Sequence, residues 1–193
     1  MSTTENKIHN AIADWVGDIV ALETHVEEAM DRQLKLDVPN SQMGTAIQGF
    51  HDAVRTSKQR AEAYQEQYGS EPGNPIIKAG SNLLGKAAGM IDLMREDGVA
   101  KALRDDYTAY NLLAISYTML HTTATALEDQ ATQAFAEQGL RTYASLVQDI
   151  NHLMPEAVVE ELKDNDDHPL QDTNIVEECR RLIQNVWQST ANN

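Results

Sequence analysis

The stretch at residues 8–34, IHNAIADWVGDIVALETHVEEAMDRQL, decides the fold. Ile8, Ile12, Trp15, Ile19, Leu22, Val26, Met30 and Leu34 recur every three or four residues. That spacing is one face of an α-helix. Asp14, Asp18, Glu28 and Asp31 fall on the opposite face. Gly17 costs roughly 1 kcal/mol against Ala, too little to break the pattern.

The same periodicity recurs three times further along. A second helix is predicted over 41–68, with Met43, Ile47, Phe50, Val54, Ser57, Ala61, Tyr64 and Tyr68 inward. Asp37-Val38-Pro39-Asn40-Ser41 reads as stop, turn and cap before it, and Gly69 as its C′ residue. A third helix, over 99–127, carries Tyr107, Tyr110, Ala114, Tyr117, His121 and Ala124 in a stripe. It is apolar nearly all round between Tyr110 and Met119, which places it at the protein's centre. Glu128-Asp129 supplies a break and a fresh N-cap. A fourth helix runs to Met154 with Phe135, Leu140, Tyr143, Val147, Ile150 and Met154 inward. Pro155 stops it or begins a short extension over 156–162.

Between the second and third helices, residues 75–97 read as a connecting helix lying over the bundle. Its Gly80, Gly85 and Gly89 match no phosphate-cradling spacing. Residues 163–169 form an acidic linker, and 173–187 a short amphipathic helix with Ile175, Val176, Leu182, Ile183, Val186 and Trp187. No strand pattern and no repeat is visible. The expected architecture is all-α: a four-helix bundle over 1–162 with one long crossover, the ferritin-like connectivity, followed by the linker and C-terminal helix over 163–193.

Composition narrows the partners. The 193 residues (21.4 kDa) hold 30 acids against 15 bases, a formal charge of −15. Nucleic acid and anionic membrane both select clustered Lys and Arg, so neither is an expected partner. No apolar run approaches the roughly 20 residues of a membrane span. Nothing at the start reads as a secretory signal, so a cytoplasmic address is the expectation. Cys179 is alone and makes no internal disulfide; beside Arg180 and Arg181 it reads as structural. Asp164-Asn165-Asp166-Asp167 lacks the central Gly and terminal Glu of a calcium loop.

The segment Asp18-Ile19-Val20-Ala21-Leu22-Glu23-Thr24-His25-Val26 resembles the first-helix signature of the YciE/YciF-type branch of bacterial ferritin-like stress proteins. The tail Leu153-Met154-Pro155-Glu156-Ala157-Val158-Val159-Glu160-Glu161-Leu162 is similar to bacterial ferritin-like relatives. The resemblance covers roughly residues 8–162. It implies a di-metal carboxylate site, with a Glu from each of two helices and a Glu-x-x-His from each of the other two. Such a set suits iron or manganese. Glu23 stands where the first-helix ligand belongs. Helix two instead shows Val54-Arg55-Thr56-Ser57, helix three Tyr110 and Leu113, and helix four Leu140-Arg141-Thr142-Tyr143. The chain contains no Glu-x-x-His, so ferroxidase activity is not carried over.

Four residues are the candidate metal ligands: Glu23, Glu27, His51 and His121. Each also has a plain reading. Glu23 is then a boundary carboxylate paired with a base or Tyr, Glu27 an ordinary surface acid, and the histidines satisfied core or boundary groups. The row Tyr107, Tyr110, Tyr117 is expected to send hydroxyls to the acids of helix one, filling a lost metal site with a hydrogen-bonded core. The leading functional expectation is a non-enzymatic, stress-related bundle that acts through its surface or assembly. It needs no cofactor and is expected to be a homo-oligomer, with any protein partner unspecified. The alternatives are an iron- or manganese-binding oxidase with an altered site, or a small-molecule-binding bundle lined by the Tyr row and His121. No catalytic residue is assigned. Most of the acids are expected on outer faces, in caps and in the linker, leaving Glu23 as the candidate for buried chemistry.

Overall fold

The computed structural model describes residues 3–70, 98–163 and 174–191. The expected connecting helix at 75–97 and linker residues 164–169 lie outside them. Every element among the described residues is helical: α1 (Thr3–Gln33), α2 (Ser41–Ser70), α3 (Val99–Ala126), α4 (Gln130–Lys163) and α5 (Ile175–Ala191).

Local chemistry sets the helix ends. The Asn40 side chain accepts the backbone N–H of Met43 (2.8 Å), and Asp129 accepts that of Thr132 (3.0 Å). Both are N-caps at the places the sequence marks for them. Glu128, between α3 and α4, sits at φ 58°, the left-handed conformation that closes a helix C-terminus. The start of α3 is capped from another helix, because Glu161 of α4 accepts the Ala100 N–H (2.8 Å). Gly98 has φ 107°, and a Cβ there would strike the Glu161 carboxylate, so glycine serves both the turn and the cap.

The four long helices close a ring. α1 packs on α2 and α3, and α4 packs on α3 and α2. All four neighbouring pairs run antiparallel. Glu27 meets Lys58 while Asp31 meets His51; Met30 meets Tyr110 while Gln33 meets Asp106. Across the other two seams, Tyr64 meets Thr132 while Asn40 meets Glu156, and Tyr117 meets Gly139 while Ala100 meets Glu161. The core is the predicted stripes facing inward, led by Ile12, Ile19, Met30, Met43, Leu103, Tyr110, Leu113, Tyr117, Leu120, Tyr143 and Ile150.

Three expectations change. Pro155 neither stops nor restarts a helix, since α4 runs through it unbroken to Lys163. A proline removes one backbone donor, and the buried Pro155 ring contributes to the packed face instead. Gly69 is not a left-handed C′ residue but lies inside α2, whose last turn is closed by the Ser70 hydroxyl on the Gln67 carbonyl (2.7 Å). Nor is α3 central. Ile115 is 52% and Met119 40% exposed, because a ring of four helices gives each an outer face.

The C-terminal α5 lies against α4, held by Arg180. Its guanidinium donates to Glu156 (2.9 Å), Glu177 (2.8 Å) and the His152 carbonyl (2.9 Å). Among the described residues, part of the α5 apolar surface stays exposed: Leu182 is 64% and Val186 51% exposed. No helix among the described residues is long and apolar enough to cross a membrane.

The α3–α4 turn yields a paired expectation. Glu128→Gly relieves a left-handed residue and should raise stability by up to about 1 kcal/mol. Asp129→Ala removes the cap and should lower it by about 1 kcal/mol. Urea unfolding midpoints at constant m-value measure both.

Candidate functional site

Glu23 sits in the third turn from the end of α1, on the stripe between Ile19 and Val26. None of it reaches solvent. An ionised carboxyl in such a place must be compensated by donors or give up its charge. One oxygen, Oε1, collects three hydroxyl hydrogen bonds: from Ser57 of α2 (2.7 Å), Tyr117 of α3 (2.9 Å) and Tyr143 of α4 (2.9 Å). Each of the other three helices of the ring therefore contributes one donor to one atom of α1. Behind Ser57, the Arg60 guanidinium donates to the serine oxygen (3.0 Å) and lies 6.0 Å from the Phe135 ring centre. The second carboxyl oxygen, Oε2, is buried without a partner, as is Arg60 Nε.

Burial pushes the Glu23 carboxyl up to about 7, against the pull of Ser57, Tyr117, Tyr143 and the Arg60 charge. Burial, reinforced by Glu23, also raises the Tyr117 and Tyr143 phenols far above their ordinary range. Both tyrosines therefore stay protonated and act as donors. Their rings pack on each other with centres 5.9 Å apart, and Tyr117 meets Phe135 edge-on. Phe135 in turn stacks on Tyr64 at 4.1 Å. Room for Tyr117 comes from Gly139 of α4: a Cβ there would overlap the phenol ring.

The other candidates lie elsewhere. Glu27 is half-buried on the seam with α2, where it pairs with Lys58 (2.7 Å) and Arg55 (3.8 Å). His51 is buried, with Nε2 on Asp31 (2.9 Å) and Nδ1 3.5 Å from Asp52. His121 is half-exposed, and its contact is local, with the Thr125 hydroxyl (3.5 Å). Glu23, Glu27, His51 and His121 thus sit in four separate environments. Among the described residues, no three His, Cys, Asp or Glu side chains are grouped to hold a metal ion. The set around Glu23 fits an iron or manganese centre poorly. It offers one carboxylate, three neutral hydroxyls and a guanidinium whose charge opposes a cation.

Of the tyrosine row, Tyr117 reaches the acid of helix one as expected. Tyr110 gives its hydroxyl to the Met30 sulfur (3.0 Å), and Tyr107 is half-buried at the core edge. Arg60, Gly139, Gln33 and Asp106 also belong to the buried polar interior or its packing and carry no motif that marks them in the sequence. Arg60 follows Ser57 by three residues, the spacing that stacks two side chains on one helix face. Asp106 lies three residues after Leu103 and four before Tyr110, on the inner stripe, and it too is wholly buried. Glu23 is therefore not the lone buried acid.

The domain of unknown function DUF892 matches residues 7–163 of the chain. Among solved structures, "YcfI, a putative structural protein from Rhodopseudomonas palustris" shares the fold. Its TM-score is 0.55 at 13% identity, over 75% of this chain and 92% of that one. No curated protein matches the sequence.

The Glu23 cluster predicts a specific pattern of losses. Gly139→Ala should destabilise by roughly 1–3 kcal/mol through overpacking against Tyr117. Tyr117→Phe and Tyr143→Phe should each cost about 1 kcal/mol. Their double variant should be non-additive by at least about 0.5 kcal/mol, because both hydroxyls serve one oxygen. Chemical unfolding of the four variants beside the wild type reads all these values.

Proposed function

We propose that this chain, which belongs to the DUF892 family, is a ferritin-like bundle whose di-metal centre is replaced by a hydrogen-bonded polar core, and that it serves as a structural, stress-related protein. The observation that carries this reading is the single Glu23 oxygen bound by Ser57, Tyr117 and Tyr143. A di-metal bundle needs ligands from all four helices at one level. Here all four helices meet at one level, but three of them bring hydroxyls. On α2, Ser57 closes the Val54–Ser57 run where the resemblance expects a Glu-x-x-His, and the phenols of Tyr117 and Tyr143 reach the same centre from α3 and α4.

With its interior committed to holding the helices together, the protein acts through its outside. Its acidic surface favours solubility over nucleic-acid contact. The exposed Leu182 of α5 suits association between copies in the cytoplasm. The fold neighbour from Rhodopseudomonas palustris carries a structural role in its name, which supports the same reading.

One observation favours a second reading, an altered iron- or manganese-binding site: Glu23 Oε2 is buried with no partner. Metal analysis decides between them. Protein purified without chelators should carry far less than one equivalent of iron or manganese, and its melting temperature should not move when either is added. Stoichiometric metal that disappears in Glu23→Ala would overturn the structural reading.

A further inference from the structure

Asp106 is the other acid of the interior. It occupies the second turn of α3 and is fully buried. Gln33, in the last turn of α1, donates its amide to Oδ1 at 2.7 Å. The second oxygen, Oδ2, is buried with no partner. Among the described residues, the groups around it offer no compensating cation. From its own helix come Asp105, a like charge whose Arg104 partner is turned outward, and Tyr110. From α1 come the neutral Gln33 and the thioether of Met30, which takes the Tyr110 hydroxyl. A protonated Asp106 suits this place: it accepts from Gln33 and carries no charge. An ionised one puts a net charge into an apolar seam against a single amide.

We propose that Asp106 and Gln33 form a proton-operated latch on the seam between α1 and α3, closed while the acid is protonated and loosened when it ionises. The latch has a defined place. It lies beyond the Glu23 cluster, at the end of the ring where α1 finishes and α3 begins. The same end holds the Glu161 cap on α3 and the Asn40–Glu156 contact. Ionisation therefore acts on the last turns of α1, while Tyr117 and Glu23 hold the middle of the seam.

Burial, with a smaller contribution from Asp105, pushes the Asp106 carboxyl up to about 7. The sign follows. The folded state keeps a proton that the unfolded chain releases at the ordinary carboxylate value near 4. Asp106 thus favours folding below about pH 4, and that contribution is lost as pH rises to about 7.

Asp106→Asn tests this, since it keeps the shape and the oxygen facing Gln33 but cannot ionise. The folding constant of D106N relative to wild type should climb by up to about tenfold per pH unit between pH 4 and 7, then level off. At pH 8, amide exchange at Met30–Gln33, corrected for intrinsic rate, should be faster in wild type than in D106N. A ratio that does not vary with pH overturns the latch, and so does equal exchange at pH 8. If D106N does not fold, carbon-detected NMR titration of Asp106 in the wild-type chain decides. A midpoint near 7, with exchange at Met30–Gln33 quickening through it, supports the latch; a midpoint near 4 overturns it.

Discussion

A carboxyl group with no access to water must find its donors inside the protein. For Glu23 they come from Ser57, Tyr117 and Tyr143, on three helices, and converge on one oxygen. Much of the ring follows from that need. Two tyrosines must enter the centre with their rings stacked, so one neighbour must lack a side chain, and that neighbour is Gly139. Arg60 must reach inward far enough to hold Ser57, so its guanidinium lies over Phe135. Removing the acid alone would leave two buried phenols and a serine without their shared acceptor, which costs more than any one of these bonds contributes. The cluster is a unit, and its members constrain one another more tightly than the apolar residues around them do.

The helices were legible because each repeats its apolar residues with the helical period over seven or eight turns. Asn40 and Asp129 marked two starts correctly for the same reason that they work: a short acceptor side chain captures a free backbone N–H. Pro155 signals a helix end that does not occur, because a proline's cost is local, while the helix on either side of it is held by buried Leu153, Ala157 and Ile150. The central placing of α3 failed for a different reason. Apolar residues all round a helix signal burial only if every face has a neighbour, and Ile115 and Met119 show that this one does not.

The site was legible in part. Glu23 stood out as an acid on an apolar stripe, and the tyrosines of α3 as hydroxyls able to reach it. Arg60 and Gly139 were invisible because their roles depend on which rings lie across the interface, and no spacing within one helix encodes that. Asp106 was readable in principle. Its neighbours Leu103 and Tyr110 fix the inner stripe, and position 106 falls on it. The overall charge of −15 hid it, since in a chain with 30 acids one more carboxylate reads as surface.

The two buried acids also bear on how the helices find one alignment. Apolar stripes of Leu, Ile and Val can slide by a heptad and still bury similar area. The seam between α1 and α3 does not have that freedom. Glu23 meets Tyr117, Met30 meets Tyr110 and Gln33 meets Asp106, so ten residues along α1 match eleven back along α3. Sliding by one heptad would set Tyr110 against Glu23 or Tyr117 against Met30, so one phenol contact could re-form, but Gln33 and Asp106 would part in either direction. Two of the three polar contacts would be lost together, in a place where no water replaces them. Such a seam gains little net stability from its acids and phenols, because each was desolvated to get there. What it gains is discrimination between the native register and its neighbours, the best-attested use of polar groups in helical cores.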